Sequence, residues 1–160
     1  MIKSKKVLLT GITGFVGSHT AIQLLEKGYE VIGTLRNKQR QNSIEQVIQK
    51  HTNQTNLLSF VEIDLGAPLE KWQKTMQGVD YVLHIASPFP TKLPKNENDL
   101  ILPAKNGTLN ILKAATHQRV KRVIITSSTG AAAYGNKKTG EFTEQDWTDI
   151  GNKKDTTPYF

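Results

Sequence analysis

Short apolar runs alternate with amphipathic stretches along most of this chain. Lys6–Thr10 carries Val7, Leu8 and Leu9 in succession and stops at Gly11, which predicts a buried strand. Residues 15–27 space Val16, Ala21, Ile22, Leu24 and Leu25 at helical intervals, and Gly28 supplies the stop. Residues 30–36 predict a second strand. Residues 43–51 predict a second helix with Ile44, Val47 and Ile48 on one face and Ser43 as its cap. A third strand is predicted over 57–63, and a short helix over 69–76 is closed by Gly78. The segment 81–86 is nearly all apolar, as a strand covered on both faces should be. Pro88-Phe89-Pro90 then forces a loop, and 99–118 predicts the longest helix, in which Pro103 marks an early kink or a later start. Residues 122–127 complete the set as a fifth strand. Strands that alternate with helices in this way predict βαβ units and a parallel sheet.

After Ser128 the pattern fades. The last 30 or so residues are rich in Gly, Thr, Lys, Asn and Asp, a length that is unusual for a featureless loop and points to a functional one or to a segment that needs a packing partner. Composition narrows the picture further. The 160 residues suit one domain, and cysteine is absent, which excludes disulfides, thiolate metal sites and Cys nucleophiles. A reducing compartment is compatible with that, and a cytoplasmic location is expected. The opening MIKSKKVLLTG is basic and then apolar, but Val7-Leu8-Leu9 is too short for a signal peptide. No membrane span is expected. The net charge of +7 raises the question of nucleic acid, but the basic residues lie in scattered pairs with few aromatics, so no nucleic-acid partner is expected. His84 sits among apolar strand residues and reads as a core histidine. His19, His51 and His117 have no ligand spacing, and no metal site is expected.

The sharpest signal is Thr10-Gly11-Ile12-Thr13-Gly14-Phe15-Val16-Gly17, a G-x-x-G-x-x-G turn between a strand and a helix. Gly11 permits a tight turn, Gly14 lets a pyrophosphate approach the backbone, and Gly17 allows close packing. The first amides of the helix and its dipole then favour phosphate. About 20 positions further on, where NAD binders place an acidic residue, this chain has Arg36, followed by Lys38 and Arg40. A guanidinium there suits a 2′-phosphate, so NADP (as NADPH) is expected and NAD is the lesser option. Together these features predict an α/β protein of the Rossmann type, a doubly wound parallel sheet with helices on both faces.

Four segments carry a resemblance to a known family. They are Thr10–Gly17, Val82-Leu83-His84-Ile85-Ala86-Ser87-Pro88, the stretch 103–112 and the stretch 120–128, with Phe142-Thr143-Glu144-Gln145-Asp146-Trp147 in support. The chain resembles the extended short-chain dehydrogenase/reductases, also called the NAD-dependent epimerase/dehydratase family. Within it, the chain is similar to the dihydroflavonol 4-reductase, cinnamoyl-CoA reductase and aldehyde reductase branch. The resemblance implies an oxidoreductase that transfers hydride from NADPH to a small-molecule carbonyl. It implies that Ser128 polarises the carbonyl, with Ser127 and Thr126 as lesser candidates, and that Tyr159 supplies the proton. Tyr134 is the rival tyrosine. The lysine four residues after Tyr159 would lie past Phe160. Cofactor contacts are implied for Thr10, Gly11, Thr13, Gly14, Phe15, Val16, Gly17, Asp64, Leu65, Ala86, Ser87, Pro88 and Thr126. The domain expectation is a dinucleotide-binding part over 1–128 and an active-site loop region over 129–160, truncated before the substrate-binding part. Alone, such a chain is expected to have little or no reductase activity. A nucleotide-sugar epimerase or dehydratase and a non-catalytic dinucleotide-binding protein stay open as alternatives. Oligomeric state also stays open, with a homodimer as one option.

Overall fold

The computed structural model describes residues 4–90, 92 and 94–157. The chain divides into two compact units, Met1–Ser87 with Ala104–Ile125, and Pro88–Pro103 with Thr126–Phe160. The first unit holds β1 (Lys6–Thr10), β2 (Glu30–Leu35), β3 (Leu58–Glu62), β4 (Tyr81–His84) and β5 (Arg122–Ile125). All neighbours are parallel, in the order β3-β2-β1-β4-β5. The helices are α1 (Phe15–Glu26), α2 (Gln41–Gln49), α3 (Leu69–Thr75) and α4 (Asn98–His117). Pro103 lies inside α4, so its ring costs the helix one N–H donor near the start.

β1 shows why both faces are covered. Successive side chains of a strand point to opposite faces. Leu8 packs with Trp72 of α3 and Met76 just after it, and with Ile111, Ala114 and Ala115 of α4. Leu9 packs with Ala21 and Leu25 of α1 and with Ile44 and Ile48 of α2. The result is a doubly wound sheet of the Rossmann type.

Several boundaries differ from the sequence expectation for identifiable reasons. β4 stops at His84 because the N–H groups of Ile85 and Ala86 donate to the Thr10 hydroxyl, each at 3.0 Å, and leave the ladder. β5 pairs only with β4, and its last partner is His84, so it ends at Ile125 rather than at 127. As an edge strand it leaves Ile124 and Ile125 about half exposed. α2 begins at Gln41, and Ser43 does not cap it; the Ser43 hydroxyl donates to the Arg40 carbonyl at 3.0 Å. The capping residue is Asn37, whose Oδ1 accepts the Gln39 N–H at 2.8 Å at the start of a 3₁₀ turn over Lys38–Arg40. Val47 falls at the margin of the α2 contact and is 44% exposed.

The second unit has no strand among its described residues. Here the chain is held by side chains that bond backbone, the behaviour of a Thr-, Asn- and Asp-rich segment. Thr148 Oγ1 donates to the Gly130 carbonyl at 2.6 Å and accepts the Tyr134 N–H at 3.1 Å. Asp155 Oδ2 accepts the Gly135 N–H at 2.8 Å, and Asn152 Nδ2 donates to the Gly135 carbonyl at 2.9 Å. The Lys138 ammonium and the Thr143 N–H both bond Asp146, each at 2.6 Å, and hold its carboxyl below the usual range.

Two helices end with the same pair of bonds but different residues. After α1, Gly28 is left-handed at φ +78°, with Tyr29 N–H on Leu24 O at 3.1 Å and Gly28 N–H on Leu25 O at 2.9 Å. After α4 the left-handed position is Arg119 at φ 55°, with Val120 N–H on Ala115 O at 2.9 Å and Arg119 N–H on Thr116 O at 3.1 Å. This conformation costs an L side chain roughly 1–2 kcal/mol. Arg119→Gly is therefore expected to stabilise the fold by about 1 kcal/mol and to raise Tm by roughly 2–4 °C in thermal unfolding. An unchanged or lower Tm would contradict this reading.

Candidate functional site

In a doubly wound sheet, ligands bind beyond the carboxyl ends of the strands where the winding reverses. Here that point lies between β1, whose chain crosses to β2 on one side, and β4 on the other. The glycine-rich turn leaves β1 there. Thr10 is fully buried at the strand end, and Gly11 turns the chain at φ +77°. A Cβ on Gly11 would stand 3.0 Å from the Ala86 nitrogen, so the turn and the exit from β4 lie in contact. A Cβ on Gly17 would stand 2.1 Å from the Gly11 carbonyl oxygen. The closeness that Gly17 allows is thus between α1 and its own preceding turn. Gly14 N–H bonds Gly11 O at 3.0 Å, and the first bond of α1 runs from Ser18 N–H to Gly14 O at 2.9 Å. No side chain caps α1, so no side-chain acceptor competes for the N–H groups of its first turn, and Phe15 and Val16 there are exposed. Gly14 is exposed, and a Cβ there would meet only the Gly11 carbonyl, at 3.4 Å. Phe15 and Val16 are exposed beside it, and Phe15 makes an edge contact with His19 at 4.7 Å between ring centres. Thr13 is half-buried.

Ile12 is what anchors the turn, and the sequence reading overlooked it. Its side chain is fully buried in the α1–α2 face of the core, against Gly33 of β2. A Cβ on Gly33 would come within 2.4 Å of Ile12 Cδ1. The signal was available, because glycine inside a strand marks a close approach.

Arg36 follows directly on β2, and Lys38 and Arg40 open and close the 3₁₀ turn capped by Asn37. All three are exposed, and among the described residues none of them makes an ion pair. Asp64 follows β3, is exposed, and accepts the Gly66 N–H at 2.8 Å. Leu65 is half-buried against α4, which approaches closely because residue 107 is glycine; a Cβ there would stand 2.3 Å from Leu65 Cγ. Ala86 is half-buried and Ser87 exposed beyond β4. His84 is 3% exposed, with Nδ1 2.8 Å from Thr10 Oγ1 and Nε2 3.1 Å from Thr108 Oγ1. Burial pushes its pKa down from 6.5 to about 4. Elsewhere, a shallow, mostly apolar groove of about 520 Å³ is lined by Leu69, Gln73, Leu112, Lys113, Thr116 and His117. It includes none of the residues of the turn.

This geometry meets its match among known proteins. Residues 7–160 match the NAD dependent epimerase/dehydratase family. The chain belongs to that family. An uncharacterised oxidoreductase of Schizosaccharomyces pombe is 36% identical over 157 residues, 93% of this chain and 45% of its own length. The bifunctional dihydroflavonol 4-reductase/flavanone 4-reductase of Malus domestica is 32% identical over 149 residues, 92% of this chain and 42% of its own. The crystal structure of Gre2 from Candida albicans in complex with NADPH superposes with a TM-score of 0.74 at 32% identity, covering 91% of this chain and 44% of that one. The chain spans under half the length of these relatives.

Of the residues expected to act in this epimerase/dehydratase-family chain, Pro88, Thr126 and Ser128 lie in the second unit, and Tyr159 lies outside the described residues. Ser128 is exposed, and its Oγ accepts the Gly130 N–H at 3.1 Å. That bond uses a lone pair and leaves the hydroxyl proton for an acceptor. Thr126 is exposed and Pro88 half-buried. The rival Tyr134 is half-buried, and its backbone is clasped by Thr148 and Asp149. Among the described residues no group of three or more His, Cys, Asp or Glu side chains could hold a metal, and no helix is long and apolar enough to cross a membrane.

Two outcomes are expected from this geometry. Gly17→Ala drives a methyl group into the Gly11 carbonyl, so it should destabilise the fold by about 1–3 kcal/mol in urea unfolding, as overpacking does. A variant as stable as the parent would show that the turn can relax. His84 is held neutral by burial, so its folded pKa lies below the unfolded one. Its contribution is fully present above pH 6.5 and is lost as pH falls towards 4, on the order of 3 kcal/mol in total. Urea midpoints of the parent should fall over that window more steeply than those of His84→Asn; parallel curves would contradict the assignment.

Proposed function

We propose that this chain is the dinucleotide-binding part of an NADP-dependent reductase that acts on a small-molecule carbonyl compound. The observation that carries the cofactor choice is Arg36 at the end of β2, with Lys38 and Arg40 close in sequence and no carboxylate paired to any of them among the described residues. A 2′-phosphate is the group that such a cluster would neutralise, and a guanidinium can hold it through two parallel bonds. A ribose with free hydroxyls would instead call for an acidic residue there. Gre2, bound to NADPH in its crystal structure, supports the same reading by likeness.

In this reading the amides of Phe15 and Val16 hold the diphosphate, with Thr10, Gly11, Thr13, Gly14 and Gly17 shaping the turn. Asp64 and Leu65 border the adenine, and Ala86, Ser87, Pro88 and Thr126 line the path of the cofactor. When bound, NADPH supplies the hydride. Ser128 would polarise the substrate carbonyl by donating a hydrogen bond and keep its proton, and Tyr159 would pass the one proton to the forming alkoxide. Residues 1–128 make the dinucleotide-binding part and 129–160 the loop region that carries the active-site tyrosine.

Calorimetric titration with NADPH and NADH tests this. The parent chain is expected to prefer NADPH. Arg36→Ala should weaken NADPH binding by roughly tenfold to a hundredfold, the worth of a charge-assisted pair, while changing NADH binding by less than about threefold. Equal losses for both dinucleotides would remove Arg36 from the 2′-phosphate, and no heat from either would overturn the proposal.

A further inference from the structure

The bonds around His84 have only one consistent direction. Thr10 is fully buried, so water does not complete its bonding. Its Oγ1 accepts two backbone N–H groups, from Ile85 and from Ala86, each at 3.0 Å. A hydroxyl oxygen has two lone pairs and one proton. Both lone pairs are taken, so the proton must go to the third neighbour, His84 Nδ1 at 2.8 Å. Nδ1 is therefore the acceptor, and the ring of a neutral imidazole carries its hydrogen on Nε2. That hydrogen is donated to Thr108 Oγ1, 3.1 Å away on α4. The low pKa of this histidine agrees with a ring that stays neutral in the fold.

The direction gives the histidine a task beyond filling space. Thr10 is the last residue of β1 and immediately precedes the left-handed Gly11. Ala86 is the residue against which Gly11 packs. The Thr10 hydroxyl thus joins the two loops that meet where the winding reverses, and His84 fixes where that hydroxyl points. We propose that His84 is a positioning residue for dinucleotide binding: as the Nε2–H tautomer, tied to α4 through Thr108, it orients the Thr10 hydroxyl so that the glycine-rich turn and the exit from β4 keep one spacing. The inference rests on the dinucleotide reading for its ligand, but its geometry can be tested without one. It also separates the two sides of the ring. The Thr10 side reaches the turn, whereas the Thr108 side only holds the ring in place, so loss of the first should disturb the turn more than loss of the second.

Two substitutions divide those sides. Asn carries Oδ1 on Cγ as His carries Nδ1, so His84→Asn keeps an acceptor for Thr10 and loses the reach to Thr108. His84→Gln carries its amide one atom further, towards Thr108, and leaves the Thr10 proton without its acceptor. Amide spectra of the 160-residue chain are expected to show Gly11–Val16 and Ala86 close to their parent positions in His84→Asn and displaced in His84→Gln. The Kd for NADPH is expected to rise by about tenfold or more in His84→Gln and by less than about threefold in His84→Asn, while the two lose similar thermal stability. A purely structural histidine would give both variants equal losses of stability with undisturbed turn amides, and that result overturns the proposal. Side-chain ¹⁵N spectra of the parent decide the direction even where a variant fails to fold: hydrogen on Nε2 supports it, and hydrogen on Nδ1 overturns it. A parent chain that binds neither dinucleotide refutes the function proposed above, while the amide and tautomer readouts still decide the role of His84.

Discussion

The carbonyl of Gly11 occupies the space that any side chain at position 17 would need. That contact closes the turn onto the start of α1, and much of the site follows from it. With the turn drawn in, the start of the helix at Phe15 and Val16 is exposed, and the open flank at Gly14 leaves the backbone accessible. A longer residue at either position would push the turn away from the helix and spread its first amides. The cradle proposed for the diphosphate is therefore a property of backbone position, set by what is missing from the side chains.

The turn is held from behind as well. Ile12 reaches into the core over Gly33, so the hydrophobic effect that packs α1 and α2 on the sheet also seats the turn. On the other side, the Thr10 hydroxyl takes the N–H groups of Ile85 and Ala86 out of the sheet ladder and fixes the exit from β4 against Gly11. Folding and ligand geometry thus share the same contacts.

Much of this was legible in the residues. The unbroken apolar run at β1 and the helical spacing around Ala21 and Leu25 gave the elements, and the glycine pattern located the turn. The family resemblance agreed with the later comparison. What was missed has physical reasons. Strand ends depend on side chains from neighbouring strands, so Thr10 shortens β4 in a way that the run 81–86 cannot reveal. The cap of the segment after β2 is Asn37 rather than Ser43, because a 3₁₀ turn precedes α2 and both residues are good caps in isolation. Ile12 was given no role in the sequence, and its burial over Gly33 shows it to be an anchor. The segment after Ser128 has no periodicity to read, since its order comes from side chains such as Thr148 and Asp155 bonding distant backbone.

The central claim is that backbone amides of the glycine-rich turn grip the diphosphate of a dinucleotide. Amide chemical shifts of the labelled chain, followed while NADP⁺ is added, test it directly. The account expects the largest changes at Phe15 and Val16. Changes centred on the groove lined by Leu69, Leu112 and Lys113, with the turn amides unmoved, would contradict it.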